Sequence, residues 1–355
     1  MGGIESLLMT LFRASSSPDV RILVVQHGQR KAYYAAELKR LGIDLVCCPI
    51  FSPKTVWTYG HWWRSYLKQF QDQTILHCHV RSTASIILRE ARRKGIHTIA
   101  HSHGMSHGQG LKRLVRQFLA PGISRYADVC LACSKEAGIW LFGEELVEKA
   151  CFHVIHNPIN LESFTFSPDT RETYRALLQL EKETLCLMHV GRFSFEKNHA
   201  FLIEMMDRAR QRGLDHWVLY LIGAGSLLEE IKKMCRLRHL ENVVFLGLRD
   251  DVPELLQACD VFLFPSTFEG LGTALVEAQA TGAPCLISPA ISPGAVITDL
   301  VYRLEMDPDA WVETILQAPR GDTRTERSED VIRAGYDLES VLDAYRSIYE
   351  GLFAS

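Results

Sequence analysis

Val261-Phe262-Leu263-Phe264-Pro265-Ser266-Thr267-Phe268-Glu269-Gly270-Leu271-Gly272-Thr273-Ala274-Leu275-Val276-Glu277 is the stretch that decides the fold. Four apolar residues, Val261–Phe264, stop at the turn residues Pro265 and Ser266, which reads as a short buried strand. A glycine-rich turn follows, and Thr273 opens a helical pattern that runs to Thr281. Strand, glycine-rich turn and helix N-terminus in that order expose backbone N–H groups that suit an anion or a sugar hydroxyl. Gly270 and Gly272 let a ligand approach the backbone closely. Glu269 falls in the turn and Glu277 in the helix. Their spacing, a rise of at most ~12 Å, suits two contacts along an extended ligand better than a grip on one small group. Taken alone, Glu277 reads equally well as a helix acid complementing the dipole.

The same alternation extends in both directions. Upstream, Leu185–Val190, Trp217–Ile222 and Val243–Leu246 read as strands, and Pro284–Ile287 follows downstream. His199–Arg212, Leu227–Leu237 and Val252–Cys259 read as the helices between them. An earlier series repeats the pattern, with strands at Arg21–Val25, Leu45–Cys48, Ile75–Cys78, Thr98–His101, Val129–Ala132 and Phe152–His156. Its helices are read at Tyr33–Leu41, Ser82–Lys94 and Leu111–Phe118. Such alternation predicts parallel sheets covered by helices on both faces. The turn signals Asn157-Pro158 and Ser167-Pro168 put a hinge in His156–Pro168. The reading is therefore α/β, with two tandem Rossmann-like doubly wound domains facing a central cleft. The domains are 1–160 and 161–335, followed by a terminal helix in 336–355. Ligands of such domains sit at the carboxyl ends of the strands.

The chain has 355 residues, 47% hydrophobic and 23% charged, enough for two full cores. No apolar run approaches the ~20 residues of a membrane span, and no signal-peptide pattern is visible, so the cytoplasm is the expected location. The ten cysteines lie mainly in strand-like segments and read as reduced core residues. Cys130 and Cys133 form a CxxC that would lie on an extended segment with opposite faces, which favours packing over metal or redox chemistry. Net charge is −3, but it is unevenly spread. Residues 1–160 carry 20 Lys+Arg against 11 Asp+Glu, or +9; residues 161–355 carry 19 against 31, or −12. The basic stretches Arg89–Lys94 and Lys112–Arg116 read either as solvated helix faces or as contacts to anionic headgroups. No nucleic-acid recognition motif accompanies the charge.

Val190-Gly191-Arg192-Phe193-Ser194-Phe195-Glu196-Lys197-Asn198-His199 closes the first strand of the second series. Arg192 and Lys197 flank its loop, and a departing pyrophosphate needs such positive charge. Gly223 belongs to Leu221-Ile222-Gly223-Ala224-Gly225-Ser226, a weak loop signal by itself. Arg249-Asp250-Asp251 resembles a metal-binding acidic run but reads better as a turn and N-cap before Val252. At the end of another predicted strand stands Ala100-His101-Ser102-His103-Gly104, whose two histidines share a face. His77 and His79 form a similar pair, and His107 follows. No carboxylate or cysteine lies at ligand spacing with these histidines, and no metal is expected.

The Glu269–Glu277 segment resembles the E-x7-E signature of the retaining glycosyltransferases of family four, and the resemblance extends over nearly the whole chain. Residues 246–278 and the Arg192–Lys197 loop carry it most specifically; the first half is looser. The resemblance implies the GT-B architecture, with the terminal helix crossing back to the first domain. It implies transfer of a sugar from a nucleotide-diphospho-sugar, UDP-linked by preference, to a glycan or lipid-linked acceptor. By the same resemblance Arg192 and Lys197 contact the donor phosphates, Glu269 the sugar and Glu277 the ribose. The backbone of Gly270, Leu271, Gly272 and Thr273 helps hold the donor, with Gly223 on the nucleotide side and Leu248 at the base. His103 would contact the sugar from the other domain. Gly3 matches the family's Gly-Gly turn near the donor phosphate, and the strand normally preceding that turn is expected upstream of Met1. His77, His79 and His107 are weaker acceptor-side candidates. No cofactor or metal is expected. The closest likeness within the family is to bacterial exopolysaccharide and capsule enzymes, which makes peripheral contact at the inner face of a membrane an expectation. Two alternatives stay open: a UDP-sugar 2-epimerase-like isomerase, and an inactive nucleotide-sugar-binding subunit.

Overall fold

The computed structural model describes residues 3–15, 20–28, 33–52, 54–71, 73–81, 83–104, 122–319 and 324–354. The predicted helix Leu111–Phe118, the stretch Lys112–Arg116 and His107 lie outside the described residues. The chain divides into two compact units, Met1–Pro158 with Leu338–Ser355, and Ile159–Asp337.

In the second unit, β7 (Leu185–Val190), β8 (Trp217–Ile222), β9 (Val243–Gly247), β10 (Val261–Phe264), β11 (Cys285–Ile287) and β12 (Val301–Arg303) form one parallel sheet. Its order is β12-β11-β10-β7-β8-β9. The chain builds outward from β7 to β9, then returns beside β7 with β10 and builds the other way. The point of reversal, between β7 and β10, is where an open α/β sheet leaves a crevice at its carboxyl edge. The strands are apolar without alternation because both faces are covered. Leu185, Leu187, Leu219, Leu221 and Leu263 pack with Phe201, Leu202, Met205 and Met206 of helix His199–Gln211 and with Trp217 and Trp311. The intervening Cys186, Met188, Phe262 and Phe264 are also fully buried, as a period of two requires of a sheet covered twice. At the end of helix Val252–Ala258, Arg171 donates to the carbonyls of Gln257, Ala258 and Cys259 at 3.0, 3.1 and 3.0 Å and pairs with Asp260. Those are the groups that a helix C-terminus leaves orphaned.

The first unit is also parallel throughout. β1 (Leu23–His27) pairs with β2 (Asp44–Cys48), and β3 (Ile75–Cys78), β4 (His97–Ser102), β5 (Val129–Ala132) and β6 (Phe152–Val154) form a four-stranded sheet in chain order. Helices Gly3–Ala14 and Leu338–Ala354 cover one face, where Leu7, Leu11, Val341, Tyr345 and Leu352 pack with Ile99 and Leu131. Helices Val56–Tyr66 and Ala84–Arg93 pack in the other core with Cys78, Ala100 and Cys130. All ten cysteines are free, and Cys130 and Cys133 are buried, so the CxxC is packing material.

Several elements differ from their sequence readings. β1 starts two residues later than expected, because Arg21 is used at the surface in an ion pair with Asp44. β12 and the helices Val56–Tyr66, Lys135–Phe142, Pro168–Leu177 and Pro308–Gln317 are absent from the sequence reading. β12 has three residues, too few to show a period.

Candidate functional site at the carboxyl edge of the second sheet

Neighbouring strands β10, β7, β8 and β9 deliver four loops to one edge. β10 leads to Glu269–Thr273, β7 to Arg192–Lys197, β8 to Gly223–Gly225 and β9 to Leu248. The first two loops are tied together: Thr267 N–H donates to the Glu196 carbonyl at 2.8 Å, and Asn198 Nδ2 reaches the Pro265 carbonyl at 3.5 Å. Asn198 holds a left-handed conformation, φ 51°, as the residue before helix His199–Gln211, a role that asparagine tolerates better than most side chains. Asn198 and Thr267 were not singled out in the sequence; the Lys-Asn-His turn was the available signal for the first.

Lys197 is the electrostatic centre of this edge. Its ammonium is ion-paired with Glu269 and sits over the Phe264 ring, 4.7 Å from the centroid. It also acts on Glu277, whose carboxyl is pushed up to about 7 by burial, with Lys197 drawing it only part of the way back. The two carboxylates and this cation, read from separate segments, therefore share one face. Arg192 lies in the same loop, exposed, and makes no ion pair among the described residues. An exposed guanidinium and an engaged ammonium on one loop are the kind of groups that a diphosphate can bridge.

The glycines set the fit of these loops. Gly223 has φ 141°, and a Cβ there would meet the Gly191 carbonyl oxygen at 2.1 Å. The β7 and β8 loops can lie that close only if this residue lacks a side chain. Gly272, φ 78°, is the residue before helix Thr273–Ala280, so the turn Gly270-Leu271-Gly272 ends in a left-handed conformation that favours glycine. Leu271 is buried beneath it and anchors the turn. Leu248 is 82% exposed just after the left-handed Gly247, an unusual position for a leucine. Asp251 does occupy the N-cap position of helix Val252–Ala258, but its side chain makes no cap bond. It is held instead by Arg249, at 2.7 and 2.6 Å, and by the Tyr174 hydroxyl at 3.2 Å. A charged bidentate partner outcompetes the backbone N–H.

In the first unit, the predicted histidines converge. His77 Nε2 and His101 Nδ1 are 3.1 Å apart, and His79 Nδ1 and His103 Nε2 are 2.7 Å apart. His77 stacks on His79 with ring centroids 4.2 Å apart, and His101 lies tilted against His103 at 3.9 Å. Burial is the main cause that lowers every one of them, His77 to about 3 and His103 to about 4, so the rings are neutral. The Tyr349 hydroxyl lies 2.8 Å from His77 Nδ1, so the terminal helix contributes to this cluster. Gly3 begins helix Gly3–Ala14.

Comparison with known proteins agrees with this architecture. The family described as "Glycosyltransferase Family 4" matches residues 1–163, and "Glycosyl transferases group 1" matches residues 170–337. A putative glycosyltransferase of Bacillus subtilis, EpsF, is 31% identical over 98% of this chain and 93% of its own. An Escherichia coli UDP-Gal:alpha-D-GlcNAc-diphosphoundecaprenol alpha-1,3-galactosyltransferase is 25% identical over 76% of this chain and 71% of its own. Among solved structures, Anabaena HepE in complex with UDP and glucose has a TM-score of 0.77 at 16% identity, covering 98% and 96% of the two chains. Relatives spanning the chain end to end, together with a GT-B fold, make this protein a member of the family-four glycosyltransferases.

Proposed function

We propose that the protein transfers a sugar from a UDP-sugar, with retention at the anomeric carbon, to a glycan or a lipid-linked acceptor in the synthesis of a surface polysaccharide. The observation that carries the reading is the single face on which Lys197 meets Glu269 and influences Glu277, with the exposed Arg192 on the same loop as Lys197. The names of the E. coli relative and of a Campylobacter jejuni relative acting on a diphospho-undecaprenol sugar support the donor and acceptor classes, as does the UDP-bound HepE.

In this reading the donor diphosphate draws Lys197 from Glu269 and is bridged by Lys197 and Arg192. As the bond between the anomeric carbon and the phosphate oxygen breaks, negative charge grows on the leaving phosphate. Cations already in place stabilise it without reorganisation. Glu269, released, orients a sugar hydroxyl, and Glu277 takes the ribose diol. The amides of Gly270–Thr273 and the loop at Gly223 complete the donor cradle, and Leu248 lies at the base. A neutral His103 serves as a hydrogen-bonding contact to the sugar, and Gly3 as a phosphate contact. Charge neutralisation at the diphosphate is assigned to side chains, with no metal in the transfer step. The basic first half favours work at an anionic membrane surface on the cytoplasmic side; no helix among the described residues is long and apolar enough to cross a membrane.

A thermal-shift panel of nucleotide sugars, followed by transfer assays on lipid-diphosphate sugars, tests the proposal. UDP-sugars are expected to raise the Tm, and Glu277→Ala to weaken that effect. Lys197→Ala is expected to lower turnover at least about tenfold, ~1.4 kcal/mol of barrier. Unchanged donor binding and turnover in both variants would remove the site assignment.

A further inference from the structure

Two His-x-His pairs, His77/His79 and His101/His103, stand at the carboxyl ends of the adjacent parallel strands β3 and β4. Residues i and i+2 of a strand project to the same face. The ladder sets His77 opposite Ile99, so continuing it by two residues brings His79 beside His101. Four imidazoles thus gather at one strand end, none required by the sheet's own hydrogen bonds. For His77, His79 and His101, one ring nitrogen from each lies within 4.8 Å of the others.

We propose that His77, His79 and His101 form a binding site for one divalent transition-metal ion of the zinc class. Tetrahedral coordination at ~2.0–2.1 Å from nitrogen places ligand atoms about 3.3–3.4 Å apart. The 3.1 Å pair of His77 and His101 is already near that spacing, and the ligand atoms of all three rings lie within 4.8 Å of one another, a contraction of at most ~1.5 Å from it. His101 is buried, and its Nδ1 is the nitrogen that faces His77 Nε2. His77 Nδ1 meets the Tyr349 hydroxyl at 2.8 Å. An outer-shell contact of that kind fixes the tautomer of a ligating imidazole and makes Nε2, which faces His101 Nδ1, the ligand atom. Imidazole ligands with no carboxylate or thiolate favour zinc, copper, nickel and cobalt over magnesium or calcium. His79 and His77 are only partly buried, which leaves an entry path. Three imidazoles leave one coordination position open, and His103 is hydrogen-bonded to His79 at 2.7 Å. The sequence argued against a metal because a carboxylate or cysteine was missing at ligand spacing; two strand ends replace that spacing with a tertiary one. The site lies within the first unit and touches the donor assignment above only at His103, which is hydrogen-bonded to His79.

The test uses the full chain, stripped with a chelator and titrated with Zn2+ by calorimetry and with Co2+ by absorption. One equivalent is expected to bind saturably, raising the Tm. Affinity is expected to fall at least about tenfold in His79→Gln and in His101→Gln, while His61→Gln, at an exposed histidine, retains it. His79→Gln, at a partly buried ring, guards against a failure to fold, which circular dichroism checks. The proposal is overturned if the wild type shows no stoichiometric binding, or if both variants fold and bind as the wild type does. The first outcome would make the cluster a packed group of neutral imidazoles with no ligand.

Discussion

Glu277 shows how a single carboxyl acquires a pH-dependent role. Its ordinary value of 4.5 is pushed up to about 7 by burial, and Lys197 only partly opposes this. If Glu277 takes the ribose as proposed, the diol needs the ionised form, which accepts hydrogen bonds from both hydroxyls. Donor affinity is therefore expected to increase as pH rises toward about 7, by up to tenfold per pH unit, and to level off above it. Titration calorimetry across about pH 5.5 to 8.5 checks this, with Glu277→Gln expected to flatten the profile; a flat profile in the wild type would refute it. The same shift acts on stability in the opposite direction. The unfolded carboxyl ionises near 4.5 and the folded one near 7, so the stability that the neutral form contributes is present below 4.5 and is lost as pH rises through 7. Lys197 was legible as a cation before a helix. Its pairing with Glu269, 72 positions along the chain, was not, because ion pairs between loops depend on which strands are neighbours.

At the scale of elements, the loops after β7, β8 and β10 are fitted to one another through backbone. Gly223→Ala places a methyl 2.1 Å from the Gly191 carbonyl oxygen in a conformation with φ 141°. Strain of that kind costs about 1–3 kcal/mol before the clash is counted. The variant is expected to unfold at lower denaturant and to bind a UDP-sugar more weakly, since Arg192 shares the displaced loop. Normal stability and donor affinity in Gly223→Ala would contradict this fit. The strands themselves were easy to read: β5, β8 and β10 lie where continuous apolar runs predict, because a strand buried on both faces must be apolar throughout. Helix Val56–Tyr66 was missed. Its sequence, VWTYGHWWRSY, mixes aromatic and polar residues, and its buried residues Tyr59, Gly60 and Trp63 make a weak periodic signal.

At the scale of the whole molecule, the chain returns to its first unit at the end. Helix Leu338–Ala354 covers β3–β6 with Val341, Tyr345 and Leu352 and reaches His77 through Tyr349. Ending the chain after Asp337 exposes that apolar face. Fully burying one such side chain is worth about 1.5–3 kcal/mol, so loss of several should unfold the first unit. Hydrogen exchange on the truncated chain is expected to show lost protection in 75–132 and retained protection in 185–287. Equal protection in both would mean that the helix adds little to its unit.

The sequence alone established that this is an α/β chain with two series of alternating elements, and through the Glu269–Glu277 segment it indicated a family-four glycosyltransferase. Those properties are written in short-range patterns: apolar runs, glycine turns and a spacing within one strand–turn–helix unit. Only the tertiary structure decided which distant groups meet. The reversal between β7 and β10 brings Lys197 to Glu269, and the adjacency of β3 and β4 gathers the histidines. Strand order is set by how helices pack on the faces of a sheet, a long-range choice that local residue patterns do not encode.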